Sequence, residues 1–518
     1  MNVQTKKNGI FPLRIASIDT GSNGIRFEAA EFTSPDAWQS LAFERIPVRL
    51  GKSVFISGNM ESKAMDAALA AFSEFARRMK GLHIRHYRAV ATSAVRESAN
   101  GEQFARHVAE ETGISLQIIT GSEEARYGHR AVSHSLALGK SKWIMADLGG
   151  GSLEVSLIDD SGILWSESHA MGAIRLAESL TGMEDDRNLF QRLLTEYIST
   201  LRIPHSEYFH SINGLIATGG NIEALARLGG STRNKDGVAT LSSAKLQALV
   251  MRISKLTYRQ RVEKLGLNPD RADVIVPAAM VFLRLAAIAG VSGFIVPFVG
   301  LKEGIMLDLV DEVVGRKDHA LQMDRKIAAG ALALGRRYQF DEQHGMHVSK
   351  IALSLFDQLQ TLRGLDDAHR HMLLVAAILH DIGMFVSREK HHKHSHYLIL
   401  NSDIPGFTLR QLRITADIAR YHRKSEPAMR HESFAALSKN DRRVVEVLTA
   451  ILRLADALDR EHLQNVTSVK VTIEPKTIVL RPTGKGDLLL EQWALKNRSK
   501  LFSRLFNRTV RTRSGEID

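Results

Sequence analysis

The chain has 518 residues, 44% hydrophobic and 24% charged, a composition that can bury several cores. Lys and Arg number 69 against 57 Asp and Glu, a net charge of +12, which favours polyanionic partners without choosing among nucleic acid, acidic membrane and polyphosphorylated small molecules. Cysteine is absent, which excludes disulfides, thiolate zinc sites and a cysteine nucleophile, and fits a reducing cytoplasm.

Lys6 and Lys7 open the chain, but Arg14 interrupts the apolar run that a signal peptide needs. The stretch Leu285–Leu301 is broken by Gly290, Gly293, Pro297 and Gly300, so it reads as a buried helix, a turn and a strand. The expectation is a cytoplasmic protein with no membrane span.

The first three hundred residues or so alternate β-rich runs with helical patterns, the signature of a layered α/β fold. Strands are expected at Arg14–Ile18, Tyr87–Ala91, Leu116–Thr120, Trp143–Asp147, Ser152–Ile158 and Gly214–Thr218. Helices are expected at Glu61–Lys80, Gly101–Glu111 and Ile222–Leu228. From about Asp324 to Glu461 only helical periodicity remains, with Met346, Val348, Ile351, Leu355 and Leu359 near one face. Alternation returns at Val469, Val471 and Ile473 and at Ile478 and Leu480, followed by a basic amphipathic helix from about Leu488 to Phe506.

Two segments share a plan. Asp19-Thr-Gly-Ser-Asn-Gly and Asp147-Leu-Gly-Gly-Gly-Ser each place an Asp at the end of an apolar strand, then a small-residue turn, then another strand. Such turns let backbone N–H groups approach an anion closely. One alone is ordinarily a tight hairpin; two facing each other would hold a phosphate between them. Asp19 and Asp147 would hold a divalent cation directly or through its waters. Glu154 alternates with Leu153, Val155 and Leu157, so it points away from the packed face. Glu123 and Glu124 open a helix, where acids complement the helix dipole, and a spare carboxylate beside phosphate can orient and deprotonate water.

The segments Asp19-Thr-Gly-Ser-Asn, Ala91-Thr-Ser-Ala-Val-Arg-Glu, Gly121-Ser-Glu-Glu-Ala-Arg, Asp147-Leu-Gly-Gly-Gly-Ser-Leu-Glu and Gly300-Leu-Lys-Glu-Gly resemble the exopolyphosphatase/guanosine pentaphosphate phosphatase family, of the actin-like ATPase superfamily, in order and spacing. The resemblance implies Glu124 as the general base and Asp147 and Glu154 as Mg²⁺ ligands. It implies Ser22, Asn23, Gly149, Gly150, Gly151 and Ser152 as the terminal-phosphate cradle, and Arg96 on the phosphate chain. By charge alone, Arg96 is equally a surface partner of Glu97 or Glu102. Leu153, Lys302 and Thr20 depart from the family's usual Thr, Arg and aliphatic residue. Gly219 and Gly220, where actin-like kinases bind adenosine, would equally make a strand-to-helix turn.

In the helical region, His347, then His380-Asp381, then Asp456 resemble the HD phosphohydrolase superfamily. His394 and His422 fall where two-metal members have further ligands. Imidazole and carboxylate donors would suit Mn²⁺, Fe²⁺, Mg²⁺ or Zn²⁺. In the exopolyphosphatase family such a domain often serves substrate binding and dimerisation instead. The segment His391–His396, flanked by Lys390, would equally be a solvated polyanion-binding loop. The Lys/Arg-rich tail, with Lys496, Arg498, Lys500, Arg504, Arg508, Arg511 and Arg513, reads as a solvated face or a polyphosphate channel, and lacks the aromatic interleaving that nucleic-acid binding needs.

The expected architecture is α/β: a duplicated actin-like (ribonuclease H-like) domain with lobes at 10–135 and 136–315, an all-helical HD-type domain at 320–462, and a β-β-α tail at 463–518. The expected activity is Mg²⁺-dependent removal of terminal phosphate from inorganic polyphosphate. The alternatives are hydrolysis of guanosine pentaphosphate, a metal-dependent nucleotide phosphohydrolase in the helical domain, and a non-hydrolytic polyphosphate or nucleotide sensor. The resemblance also implies a homodimer.

Overall fold

The computed structural model describes residues 10–180, 187–203, 212–315, 317–359, 365–485 and 488–512. Lys6, Lys7 and Arg513 lie outside the described residues. The chain divides into two compact units, Met1–His319 and Ala320–Asp518. Among the described residues no helix is long and apolar enough to cross a membrane.

The first unit contains two sheets built on one plan. In the first, strands β1 (Leu13–Thr20), β2 (Ile25–Ser34) and β3 (Ala37–Ile46) form an antiparallel meander. Strands β4 (His86–Ala91) and β5 (Leu116–Ile118) extend it in parallel, giving the order β3-β2-β1-β4-β5. The second repeats this with β6 (Lys142–Leu148), β7 (Leu153–Asp159) and β8 (Gly162–His169) antiparallel, and β9 (Ile212–Thr218) parallel to β6. Strands β10 (Ala239–Ser242) and β11 (Gly293–Val296) complete the order β10-β11-β9-β6-β7-β8. The duplication read from the two Asp-turn motifs is therefore a duplication of whole sheets.

Alternation decides which face of each sheet is buried in its own lobe. Ile18, Phe27 and Ala29 join Phe72 and Phe75 of the Ser62–Gly81 helix in the first core, with Phe27 and Phe75 stacked 5.0 Å apart. Leu153, Val155 and Leu157 enter the second core, which sets Glu154 on the opposite face.

Two helices cross the expected lobe boundary. The Gly121–Ser135 helix, from the first lobe's sequence, packs on the second sheet through Ala125, Val132, Met145 and Ile158. The Leu301–Val314 helix, from the second lobe's sequence, covers the first sheet through Leu13, Ile15, Phe32, Met306 and Val310. The two meet at Gly304, where an added Cβ would stand 1.9 Å from the Tyr127 carbonyl oxygen.

The second unit is helical, with a three-stranded sheet in the order β12-β13-β14, from β12 (Val466–Ile473), β13 (Thr477–Gly484) and β14 (Thr509–Thr512). Two features differ from the expected tail. Its last described element is a strand, β14, parallel to β13, because the expected single helix is two, Leu489–Arg498 and Lys500–Phe506, which bring the chain back to the sheet. It also has no separate core: Val466, Val469, Ile478, Leu480, Leu495 and Phe502 share one buried cluster with Val348, Leu355, Leu379 and Leu452.

Candidate active site

The two turns meet. Ser22 and Ser93 hydroxyls lie 3.1 Å apart, and an added Cβ on Gly150 would stand 2.8 Å from the Ser22 Cβ. Only glycine permits this approach of the second turn to the first. Asp19, Ser22, Asn23, Glu124, Asp147, Gly149, Gly150, Ser152 and Glu154 all line one cavity of about 640 Å³. Gly151 and Arg96 are not among the lining residues.

Strand register sets the carboxylates. Asp147 on β6 pairs across from Glu154 on β7, so both side chains project from one face of the sheet. Glu124 sits in the first turn of the Gly121–Ser135 helix, whose N-cap Thr120 accepts from the Glu123 amide. Burial lifts the Asp147 carboxyl to about 6, with Asp19 and Glu223 adding to the rise. Burial, reinforced by Asp147, lifts Glu154 to about 7 against the pull of Arg96. Burial and the neighbouring Glu154 push Glu124 well above the usual carboxylate range. Charge crowded this way in a dry site favours a bound cation.

Three of the expected site residues have partners within the protein. Arg96 donates to Glu124 Oε1 at 2.5 Å and to the Ile119 carbonyl at 2.9 Å, so it holds the Glu124 carboxylate, while Glu97 pairs with Arg175. Asp19 is 2% exposed and accepts from Arg26 at 2.6 Å, because Arg26 is its partner across β1 and β2. Among the described residues, the groups of three or more metal-type donor atoms within 4.8 Å of one another lie in the second unit, so Asp19, Asp147 and Glu154 do not stand that close together. Asn23 spends its side-chain amide on Asp270, at 2.7 Å to the carbonyl and 3.0 Å to the carboxylate, so it braces the turn. The residues fit Mg²⁺ on the Asp147–Glu154 pair, since that ion keeps several waters and takes few protein carboxylates.

The first glutamate is structural: Glu123 and Asp308 flank Arg126 in a buried ion network. Leu153 is fully buried, and its apolar side chain packs in the second core. Lys302 lines the cavity and pairs with Glu28 and Glu303. Gly219 adopts φ +93, and a Cβ there would approach Asp147 Oδ1 to 2.8 Å.

Sequence reasoning missed Arg26, Arg45, Glu223, Asp270 and Arg271. Arg26 carried a signal, since hairpin register across the first turn pairs it with Asp19; the others come from distant segments. Arg45 and Asn23 both reach Asp270. Arg271 lies against Gly220, 2.6 Å from its would-be Cβ, and burial among Arg26 and Arg45 lowers its guanidinium to about 10.

In the second unit, His380, Asp381, His422 and Asp456 come together as expected. His347 and His394 do not belong to the cluster; His344 and His391 take their places. The reason is helical phase. His344 lies on the buried stripe with Val348, Ile351 and Leu355, whereas Met346, on the expected face, is 43% exposed. His391 shares its buried face with Ser395 and Ile399. A stricter i, i+4, i+7 reading would have selected both.

A duplicated α/β fold with facing glycine-serine turns and buried carboxylates defines a phosphoryl-transfer enzyme of the actin-like class. The model of the Ppx/GppA phosphatase family matches residues 33–313, and that of Ppx/GppA phosphatase domain III matches residues 328–496. The chain belongs to the Ppx/GppA phosphatase family, and is an enzyme of phosphoanhydride hydrolysis. It is 26% identical over 492 residues to a guanosine-5'-triphosphate,3'-diphosphate pyrophosphatase of Vibrio vulnificus, covering 93% of each chain. It is 25% identical over 479 residues to the protein of that name in Aliivibrio fischeri, covering 92% of each. Among solved structures it resembles an exopolyphosphatase from Cytophaga hutchinsonii, with 25% identity and TM-score 0.53, covering 58% of this chain and 98% of that one.

Proposed function

We infer that the cleft of the first unit removes the terminal phosphate of a polyphosphorylated substrate by attack of water. The carrying observation is the convergence of Glu124, Asp147 and Glu154 with both turns on one cavity. The turns at Ser22 and Gly149–Ser152 hold the terminal phosphoryl group through backbone N–H groups. Arg96 fixes one oxygen of Glu124, leaving Oε2 for a water. That water gives its proton to Glu124 as its oxygen bonds to phosphorus; the P–O bond to the preceding phosphate breaks, and the shortened substrate takes the electron pair. The raised affinity of Glu124 for a proton suits this acceptance. Asp147 and Glu154 would hold Mg²⁺, which supplies charge neutralisation on phosphoryl oxygens. Glu124→Ala is expected to lower phosphate release at least ~100-fold while substrate still binds; unchanged turnover would contradict the assignment.

Inorganic polyphosphate and guanosine pentaphosphate both present such a terminus. The apolar part of the cavity lining favours the second. Leu228, Leu265, Leu267, Val274 and Phe298 line the cavity together with Arg227 and Arg271, and the Arg271 Nη1 is buried without a hydrogen-bond partner. An inorganic chain has no use for apolar surface, whereas a nucleobase does. The relatives matching over both units carry the corresponding name. Side-by-side kinetics decide: kcat/KM higher on guanosine pentaphosphate, and reduced for that substrate by Phe298→Ala, supports this reading. A preference for long polyphosphate restores the first.

A further inference from the structure

Four imidazoles in the second unit are held in one tautomer. Nδ1 of His344 lies 2.8 Å from Asp459 Oδ2. Nδ1 of His380 lies 2.8 Å from the Ala377 carbonyl, and Nδ1 of His422 lies 2.7 Å from the Ala419 carbonyl. Nδ1 of His391 lies 3.1 Å from the Arg388 carbonyl. These oxygens only accept, so each Nδ1 carries the proton and each neutral ring turns an Nε2 lone pair the other way.

The lone pairs converge. His344 Nε2 and His380 Nε2 lie 3.2 Å apart, and His391 Nε2 and His422 Nε2 lie 3.4 Å apart. Two acceptors at such distances repel unless a cation stands between them. Carboxylates complete each pair. Asp381 Oδ1 is 3.0 Å from His391 Nε2, 3.2 Å from His422 Nε2 and 3.9 Å from His380 Nε2. It has no hydrogen-bond partner of acceptable geometry. Asp456 Oδ1 is 3.6 Å from His380 Nε2 and 3.8 Å from His344 Nε2. The result is two three-ligand groups, His344–His380–Asp381 and Asp381–His391–His422, with Asp381 common to both. All four histidines are buried, while the Asp381 side chain is 17% exposed and leaves an entry path.

We propose that the second unit holds two divalent transition-metal ions, one on His344, His380 and Asp456, the other on His391 and His422, with Asp381 bridging them. Nδ1–H donation to a carbonyl or carboxylate is the outer support that orients metal-binding histidines. Four imidazoles with two carboxylates suit Mn²⁺, Fe²⁺ or Zn²⁺ and not Mg²⁺, which prefers oxygen and water. This centre is separate from the carboxylates of the first unit and does not depend on their role.

Protons on the rings would answer the same repulsion, and Arg423 reaches within 3.2 Å of His391 Nε2; metal content separates these occupants. Full-length protein stripped with chelator is loaded with Mn²⁺, Fe²⁺ (without oxygen) or Zn²⁺ in excess Mg²⁺, desalted, and its metal counted. The expected result is about two transition ions per chain with at least one of the three, accompanied by a rise in melting temperature. That count survives Asp147→Asn in the first unit, and also His347→Ala and His394→Ala, which sit on the same helices outside the cluster. It falls to one or fewer in His344→Ala and in His422→Ala, with circular dichroism confirming the fold, and in the near-isosteric Asp381→Asn. A wild-type count of one or none for all three metals, or an undiminished count in all three cluster variants, overturns the proposal.

Discussion

Glu154 shows how the cleft trades stability for charge. Its carboxyl titrates near 7 in the folded chain against about 4.3 in a free glutamate. Between those values the folded state binds the extra proton, so stability falls as pH rises through the window and the loss is complete above it. Glu154→Gln removes the titration while keeping an oxygen for the Ser168 hydroxyl, which donates to Glu154 at 2.9 Å. The chelator-treated variant is expected to be more stable than wild type by roughly 1–3 kcal/mol at pH 8, with the gain absent at pH 4.5. Denaturation at the two pH values checks this; equal effects at both would remove the burial argument. Glu154 was legible as an alternating acid on an apolar strand. Arg96 as the partner of Glu124 was not, because their meeting depends on how β4 and β5 set two helices side by side.

Elements carry the site through their packing. The Gly121–Ser135 helix presents Glu124 and is held against the Leu301–Val314 helix at Gly304. Gly304→Ala would place its methyl into the Tyr127 carbonyl, so it is expected to cost about 1–3 kcal/mol by overpacking and to lower kcat by moving Glu124. A melting curve and kinetics read both; wild-type values for each would show that the contact yields freely. The strands and the duplicated turns were readable from period-two patterning and Asp-Gly motifs. The exchange of these two helices between sheets was not, since periodicity marks a buried face without naming what covers it. The same limit explains the histidines: a residue counted by spacing along the chain landed at 347 and 394, whereas helical phase brings 344 and 391 inward.

Across the first unit, a belt of contacts joins the two lobes around the cavity. Asn23 and Arg45 hold Asp270, Arg49 holds Asp273, and Arg175 donates to Glu97 at 2.6 Å. Asp270 is 7% exposed, so Asp270→Ala leaves Arg45 without its carboxylate and Asn23 with only the backbone carbonyl at that position, and loosens the first turn against the second lobe. The expected outcome is a KM raised roughly tenfold, from lost positioning, and a steady-state titration with KM unchanged would show the belt to be dispensable. The excess of positive charge, +12 over the whole chain, draws polyanions toward the protein and does not distinguish one polyphosphorylated substrate from another. Water attack at the terminal phosphorus, as proposed for this cleft, is read out by turnover in ¹⁸O-water with mass analysis of both products. The prediction is one ¹⁸O in the released orthophosphate and none in the shortened substrate; label in the shortened substrate, or release of pyrophosphate in place of orthophosphate, would contradict it.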